Sequence, residues 1–381
     1  MRRLIVLVGV LVFVDTMLYA ALTPLLPHFA HQLHLSKAAA GVLSASYAAG
    51  ALIGALPGGL VAARLGPRRA VLIGLALMAL ASLGFAFASG YGELCAARLL
   101  QGGGSAFTWS GAFSWLLAAA PSERRGAMIG NAMGAAVFGA LFGPVVGAAA
   151  VAAGRDTIFS SLAVLSVVLA AMTLRLQTVP GQPASAAMLP PALSNRAFAR
   201  GLGLLALASL LSAILSVLGS LHLARAGWGA GAIGLVWLVG AALEGVQAPA
   251  VGRLSDRLGP LRPARAGLAA GAVISLALAT EPGPALYAPL VVLASAGYGL
   301  LFTPAFTLIA EGAEQAGLAQ ALAFGTMNAA WAVGAMVGPA AAGVIANATG
   351  DWIPFLLGAL VCVVTLTASR ERSADPATAG A

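Results

Sequence analysis

The sequence predicts an all-α membrane protein with twelve transmembrane helices in two pseudo-symmetric six-helix bundles. Three observations support this fold class: the composition, a regular series of apolar runs, and two motifs that each occur twice. Of the 381 residues, 60% are hydrophobic and only 8% are charged, whereas soluble proteins carry about 25% charged residues. So few charges cannot cover a soluble surface of this size, and the composition therefore excludes a water-soluble enzyme.

Apolar runs follow one another along the whole chain with short polar breaks. Because about 20 residues cross a bilayer, this length allows roughly twelve spans and no sizeable soluble domain. The longest runs exceed the bilayer thickness, so we expect those helices to overrun it or to tilt. The predicted spans are 4–26, 39–62, 70–89, 93–119, 126–152, 157–177, 199–223, 229–251, 264–281, 285–310, 317–347 and 352–369.

A stretch with four prolines near the middle of the chain divides the spans into two sets of six. Proline-rich segments between apolar runs are typical of connectors. We therefore expect an N-terminal bundle over 1–177, a cytoplasmic connector over 178–198, a C-terminal bundle over 199–372 and a short tail over 373–381.

The distribution of basic residues predicts the orientation in the membrane. With a cytoplasmic N-terminus, sixteen basic residues lie on the cytoplasmic side and three, Lys37, Arg155 and Arg225, lie on the opposite side. Cytoplasmic loops are enriched in Lys and Arg, so both termini are expected in the cytoplasm. Of the 20 basic residues, 19 are arginine, and such an excess fits a GC-rich bacterial genome. A bacterial inner membrane is therefore the expected location.

Two motifs recur in both halves at nearly the same separation. Residues 59–69 read Gly-Leu-Val-Ala-Ala-Arg-Leu-Gly-Pro-Arg-Arg, and residues 252–260 read Gly-Arg-Leu-Ser-Asp-Arg-Leu-Gly-Pro, 193 residues later. A glycine motif recurs at an offset of 195 residues, with Gly139, Gly143 and Pro144 in the fifth span and Gly334, Gly338 and Pro339 in the eleventh. Such repeats are common among secondary transporters.

These motifs resemble those of the major facilitator superfamily. The loop motif is similar to Gly-x-Leu-Ala-Asp-Arg-x-Gly-Arg-Lys of that family, and the glycine motif resembles the fifth-helix motif of its antiporters. Arg98-Leu-Leu-Gln101-Gly102 resembles its fourth-helix motif, and residues 14–27 are similar to the first helix of vesicular amine transporters and bacterial drug:proton antiporters. The resemblance implies the major facilitator fold and the twelve-helix drug:proton antiporter branch.

Both repeated motifs have a physical explanation. Glycine turns the loop at the membrane surface and arginine anchors it there, whereas glycines along one helix face admit a neighbouring helix and Pro144 favours a kink. Ala63 occupies the acidic position of the first loop copy, so any ionic lock through that acid is absent or replaced. The residues expected in conformational roles are Gly59, Arg64, Gly66, Arg68, Gly139, Gly143, Pro144, Gly252, Asp256, Arg257, Gly338 and Pro339.

Three charged residues lie well inside predicted spans, away from the span ends: Asp15 near the midplane of the first, Arg98 in the fourth and Glu244 in the eighth. A charge at the bilayer centre costs about 3 kcal/mol or more, so such residues are functional candidates. We expect all three to couple proton and substrate movement, because acids in opposite halves suit a proton carrier and a cationic substrate. The alternative is a structural ion pair, for example between Asp15 and Arg98.

Other side chains give weaker signals. His28, His31 and His34 are three residues apart, but no nearby Asp, Glu or Cys completes a metal site, and no cofactor fingerprint or catalytic triad occurs. We therefore expect neither metal nor cofactor nor enzymatic activity. Candidates for lining a central cavity are Tyr19, Gln101, Trp109, Trp237, Gln247, Tyr298, Asn328 and Trp331.

The predicted function is proton-coupled secondary transport by alternating access, with efflux of a hydrophobic or cationic small molecule. The alternative is uptake of a small metabolite by a proton symporter or facilitator. A receptor or scaffold is disfavoured because the predicted tail is short, and a channel is disfavoured by the scarcity of charged rings.

The expected partners are the substrate, protons and the lipid bilayer, with the protein as a monomer. Nucleic acid is excluded because the charges lie in short loops.

Overall fold

A computed structural model describes residues 2–119, 125–177, 189–318 and 320–371. This part of the chain is helical and contains no strand. Its helices are α1 (Arg2–Ala20), α2 (Leu22–Gln32), α3 (Lys37–Leu65), α4 (Pro67–Phe87), α5 (Tyr91–Ala119), α6 (Arg125–Ala153), α7 (Arg155–Leu174), α8 (Leu189–Ser194), α9 (Arg196–Arg225), α10 (Ala230–Leu258), α11 (Leu261–Ala279), α12 (Pro284–Gly299), α13 (Phe302–Gln315), α14 (Gln320–Thr349) and α15 (Trp352–Glu371).

Within the described ranges, eleven stretches are long and apolar enough to cross a membrane. Two of these stretches are helix pairs, α1 with α2 and α12 with α13. The remaining predicted span, the fourth, corresponds to α5, which is 29 residues long. Polar residues such as Arg98 and Gln101 lower the hydropathy of α5. Each predicted span therefore corresponds to a helix or a helix pair.

The first and tenth predicted spans are broken rather than continuous. Helical structure is interrupted at Ala21 and again between α12 and α13. A proline follows each break, Pro24 in the first case and Pro304 in the second. Proline lacks an N–H and its ring clashes with the carbonyl four residues earlier, here that of Ala20 or Leu300. Each helix therefore stops close to that carbonyl and restarts beyond it.

The helices of the two halves pack in the same pattern. In the first half α1 packs on α6, α3 and α4 pack on α5, and α4 packs on α7. In the second half α9 packs on α14, α10 and α11 pack on α12, and α11 packs on α15. The halves meet through α3 with α14 and through α6 with α10, which are again equivalent pairs. This pattern confirms the two pseudo-symmetric six-helix bundles.

The segment between the halves, from the end of α7 at Leu174 to the start of α9 at Arg196, lies three residues earlier in the chain than the predicted connector. The helix α8 lies inside the predicted range 178–198, and α9 begins at Arg196, before the predicted span start at 199. Asn195 explains this start, because its Oδ1 accepts hydrogen bonds from the N–H groups of Ala197 (2.9 Å) and Phe198 (3.1 Å). That is the usual function of an N-cap residue. Residues 178–188 and the predicted tail lie outside the described ranges.

The repeated motifs occupy equivalent places in the two halves. Gly66 joins α3 to α4 with φ 90°, and Gly259 joins α10 to α11 with φ 77°. This left-handed conformation favours glycine, so both copies of the loop motif need glycine at the same turn.

The glycine motif brings α6 and α14 close to the first long helix of their own half. A Cβ at Gly143 would lie 2.8 Å from the carbonyl oxygen of Met17 on α1. A Cβ at Gly338 would lie 2.6 Å from the carbonyl oxygen of Leu210 on α9. Neither position has room for a side chain unless a backbone moves. The close helix approach predicted from the glycine spacing is therefore present in both halves.

Candidate functional site

The two ends of the bundle are named here by residues that lie at them. The terminal face contains the start of α1, Arg64 at the end of α3, and Arg196 at the start of α9. The distal face contains Lys37 at the start of α3, Arg225 at the end of α9, and Asp351 between α14 and α15.

Asp15 is buried in the first half and held by three hydrogen bonds. Its Oδ2 accepts from Ser105 Oγ at 2.8 Å, from Trp109 Nε1 at 2.6 Å and from Tyr47 OH at 3.3 Å. Its Oδ1 is buried without a hydrogen-bond partner among the described residues. The carboxyl group thus links α1 to α3 and α5.

Arg98 is only 2% exposed and is held by neutral acceptors. Its Nη1 donates to Gln101 Oε1 at 2.7 Å and to the carbonyl of Leu18 at 3.3 Å, and its Nη2 donates to the carbonyl of Tyr19 at 3.4 Å. Its Nε is buried and unpaired among the described residues. No ion pair within 4.0 Å joins Arg98 to Asp15 in the described structure. The structural ion pair considered from the sequence is therefore absent.

An aromatic cluster joins the halves beside Arg98. The rings of Tyr19 and Tyr47 have centroids 4.9 Å apart, and Trp331 of α14 meets Tyr19 edge-on at 5.2 Å. The Arg98 guanidinium lies 4.8 Å from the ring centroid of Tyr47, within the range of a cation–π contact. The positive charge of Arg98 is thus stabilised by rings and carbonyls and lacks a carboxylate contact among the described residues.

Glu244 lies half-buried on α10 with no hydrogen bond or ion pair to any described residue. Its side chain packs against Gly299 of α12, where a Cβ would lie 2.7 Å from Glu244 Cγ. The two predicted cavity-lining residues on the same helix, Trp237 and Gln247, bond to other groups. Trp237 Nε1 donates to Ser220 Oγ at 3.0 Å, and Gln247 Nε2 donates to the carbonyl of Ala296 at 2.6 Å.

A cavity of about 170 Å³ lies between the two halves. Residues of the first half on its wall include Tyr19 and Arg98, and residues of the second half include Trp237 and Glu244. Asp15 does not line this cavity, although the sequence suggested that both acids would face a common substrate. Its three hydrogen-bond donors surround it instead.

The predicted cavity-lining residues are divided between several places. Tyr19 and Trp237 border the main cavity, whereas Trp109 and Asn328 border a much smaller pocket between α5 and α14. Tyr298 is 1% exposed and hydrogen-bonds Ser275 inside the second half. The other three are held by hydrogen bonds or by ring packing next to the cavity: Gln101, Gln247 and Trp331.

Near the distal face α3 and α14 are in direct backbone contact, which closes the gap between the two halves there. A Cβ at Gly343 would lie 2.5 Å from the carbonyl oxygen of Lys37, and Gly41 approaches the carbonyl of Pro339 even more closely. Glycine at both positions allows the halves to meet without an intervening side chain.

Asp351 strengthens this closure, and no motif pointed to it. Its side chain is 1% exposed, its Oδ1 lies 2.6 Å from Lys37 Nζ, and its Oδ2 pairs with Arg225. Burial raises the pKa of Asp351. Its basic neighbours His222, Lys37 and Arg225 lower the pKa by more than burial raises it, so that the pKa is about 2. The sequence contained one indication of this site. Three basic residues were predicted on this side of the membrane, and two of them, Lys37 and Arg225, are the partners of Asp351.

The remaining predicted residues lie near the two faces. On the terminal face Arg68 donates to the carbonyl of Leu174 at 2.7 Å, and Arg64, Asp256 and Arg257 form no ion pair within the described ranges. His28 and His31 lie on α2 and His34 follows it. The described chain contains no group of three metal-ligating side chains.

The sequence model of the Major Facilitator Superfamily matches residues 8–323. The chain belongs to this superfamily. It is therefore a multi-pass membrane transporter of a small-molecule substrate and not an enzyme. The fold class predicted from its motifs is confirmed.

Similar proteins support the same fold. The crystal structure of the nucleoside transporter NupG shares 16% identity with a TM-score of 0.74, covering 98% of this chain and 99% of that one. A bacterial homolog of the human lysosomal transporter Spinster, inward-facing and unoccupied, shares 14% identity with a TM-score of 0.79 and 96% coverage of each chain. A "Probable vesicular acetylcholine transporter-B" of Danio rerio is 40% identical over 114 residues, 28% of this chain and 23% of that protein. That match spans about a quarter of the relative.

Proposed function

We propose that this transporter is proton-coupled and exports a cationic or hydrophobic small molecule across a bacterial inner membrane. The observation that carries the proposal is Glu244, a carboxylate in the cavity wall that no described residue neutralises. An unpaired acid inside a membrane protein is a functional candidate by default, because its burial is costly. The vesicular acetylcholine transporter relative, named for a cationic ligand, supports a cation as substrate.

Competition for one carboxylate explains how exchange could be enforced. Protonated Glu244 is neutral and offers little attraction to a cation, whereas ionised Glu244 attracts it strongly in a site of low dielectric constant. A proton and a cationic substrate then bind alternately. If the change between inward-facing and outward-facing states requires either a proton or a substrate molecule at Glu244, protons moving inward drive substrate outward.

Asp15 is the second proposed proton site. The ionised carboxylate accepts three hydrogen bonds on one oxygen, from Ser105, Trp109 and Tyr47. Protonation would weaken these bonds, because charge-assisted hydrogen bonds are about twice as strong as neutral ones. The proton would thereby loosen the contacts of α1 with α3 and α5. Protonation of Asp15, which lies away from the cavity, would in this way alter helix packing.

We propose that the two halves, 1–177 and 199–372, rock about the cavity as bodies joined by 178–198. The glycine contacts of α6 with α1 and of α14 with α9 keep each half rigid. The bias of basic residues favours a cytoplasmic terminal face and cytoplasmic termini. The backbone contacts of α3 with α14 then correspond to closure on the outer side. A monomer suffices for this cycle, because the cavity is built from one chain.

The alternative is uptake of a small polar metabolite by proton symport. Arg98 favours this alternative, because a positive charge on the cavity wall suits a ligand that carries an anionic or strongly polar group. Structural similarity to a nucleoside transporter is compatible with it.

Transport into vesicles under an imposed pH gradient tests the proposal. Purified protein is reconstituted, and accumulation of labelled choline, tetramethylammonium and phenethylamine is measured beside labelled neutral and zwitterionic metabolites. Antiport predicts accumulation when the vesicle interior is acidic, whereas symport predicts accumulation when the exterior is acidic. A protonophore, which dissipates the pH gradient, should abolish accumulation in either case. Uptake that ignores the gradient in both directions contradicts proton coupling.

A further inference from the structure

The cavity wall carries one charged side chain from each half. Of the described residues that line it, Arg98 of α5 is the one cation and Glu244 of α10 is the one anion. Asp15, the other intramembrane acid, lies behind Tyr47, Ser105 and Trp109. The cavity therefore presents opposite charges on its two walls, and two of the three predicted coupling residues, Arg98 and Glu244, line it.

Neither charge has an oppositely charged partner within 4.0 Å in the described part of the protein. Glu244 has no cationic or hydrogen-bonding partner there. Arg98 donates to carbonyl and amide oxygens, but its buried Nε remains unpaired and no described carboxylate lies within 4.0 Å. The two residues do not pair with each other either. Buried charges are normally paired, because desolvation is costly, so each of these two groups is available for a ligand of opposite charge.

The rest of the cavity wall suits a small ligand that is both polar and apolar. The hydroxyl-bearing residues on its wall are Thr23, Ser44, Ser212, Ser216 and Ser295. An apolar cavity of about 150 Å³ holds benzene, so the volume of about 170 Å³ accommodates a compound at least as large as benzene.

We propose that the substrate is a small zwitterion, with its anionic group bound at Arg98 and its ammonium group bound at Glu244. This inference rests on the proposed function, since it assigns the substrate class of the same cavity. It narrows a cationic substrate to one that also carries a carboxylate or a similar anion. A ligand forms ion pairs with both halves only if it carries both charges. A ligand with one charge would pair with Arg98 or with Glu244, but not with both.

Matched compounds test this assignment without any change to the protein. The probes are a panel of α-amino acids, ω-amino acids and betaines with up to about twelve non-hydrogen atoms. Each is compared with its methyl ester, which lacks the anion. Each amino acid is also compared with its N-acetyl derivative, which lacks the cation. Binding to purified protein is measured by ligand-induced thermal stabilisation. We expect at least one zwitterion to bind at least ten-fold more tightly than either matched compound.

Two variants locate the charges on the protein. Glu244→Gln should remove the preference for a zwitterion over its N-acetyl derivative and keep the preference over the ester. Arg98→Gln should show the opposite pattern. If Arg98→Gln does not fold, Arg98→Lys, which keeps the charge but shortens the donor group, should weaken binding of the zwitterion and its N-acetyl derivative equally.

The outcomes separate this inference from the proposed function. Esters that bind as tightly as their zwitterions, or cations that are transported while no zwitterion binds, overturn the zwitterion and leave proton-coupled transport intact. Accumulation that ignores the pH gradient for every compound overturns the proposed function instead. A zwitterion that binds equally well to both neutral variants contradicts the assignment of Arg98 and Glu244.

Discussion

Lys37 and Asp351 connect the two halves at the distal face, with Lys37 Nζ 2.6 Å from Asp351 Oδ1. Lys37 also donates to the carbonyl of Ala346 at 3.3 Å. Arg225 pairs with the same carboxylate from within the second half. Asp351 therefore makes one ion pair across the interface, with Lys37, whereas its other basic neighbours, Arg225 and His222, lie inside its own half. The contact across the interface can thus be removed separately.

Removal of the contact across the interface should favour opening of the distal face. We expect Lys37→Gln to increase the open population up to about five-fold, because a partly exposed ion pair contributes up to about 1 kcal/mol. Arg225→Gln is the matched control, since it removes a partner of Asp351 without breaking a contact between halves. Distances between spin labels at Gln32→Cys and Asn347→Cys, with Cys95 and Cys362 replaced by Ala, measure the effect. Equal shifts in both variants would show that the cross-half contact has no special role.

The pH dependence of stability should reveal Asp351. Its pKa is lowered to about 2 in the folded protein, so it stabilises the fold fully above its unfolded pKa of about 3.9, and this contribution is lost as the pH falls through about 2. We expect Asp351→Asn to lower the apparent unfolding temperature by a few degrees above about pH 5, with the difference shrinking as the pH falls to about 2. Thermal unfolding in detergent measures it. A difference independent of pH would assign the effect to packing.

Close packing of α6 against α1 should be essential for transport. Leucine at Gly143 would meet the Met17 carbonyl and the Ala20 side chain, whereas a Cβ at Gly134 on the same helix would have no neighbouring atom within 4 Å. We expect Gly143→Leu to reduce transport at least ten-fold and Gly134→Leu to retain most of it. Vesicle uptake and apparent unfolding temperature are measured for both. Wild-type transport by Gly143→Leu would remove the functional significance of the glycine motif.

The terminal face should close through a different set of charges. We expect Arg64, Arg68 or Arg69 to pair with Glu311 or Glu314 in the state that is closed on this side. In the present state Arg68 binds the carbonyl of Leu174 instead. Cysteines at Arg68 and Glu314, in the background without Cys95 and Cys362, should crosslink more when the distal face is open. Equal crosslinking in both states would favour the simpler explanation that the two acids only stabilise the start of α14.

Local patterns predicted the architecture because membrane spans are determined by local composition. Hydrophobic length located the spans, and the repeats located the two halves. The split of the first and tenth spans coincides with Pro24 and Pro304, but Pro57, Pro144, Pro249 and Pro339 lie inside unbroken helices. A proline alone therefore did not predict where a span breaks. The glycine spacing also predicted close packing correctly, because it depends only on which face of one helix is free of side chains.

The site could be predicted only in part, because its contacts join distant segments. Asp15 was identified by its depth, but the Tyr47, Ser105 and Trp109 donors that separate it from the cavity come from two other helices. The absence of an Asp15–Arg98 ion pair likewise depends on side-chain geometry. Asp351 lies outside every span and every motif, so no hydrophobic pattern identified it.

The most direct test of proton coupling removes both intramembrane acids at once. Asp15→Asn with Glu244→Gln should abolish accumulation driven by a pH gradient, for a substrate identified by the vesicle screen. Size-exclusion chromatography and thermal unfolding should show that the variant is folded, and the wild type should release or take up protons when substrate is added. We expect no pH-driven accumulation and no substrate-induced proton flux in the double variant. Full pH-driven accumulation by that variant would contradict it.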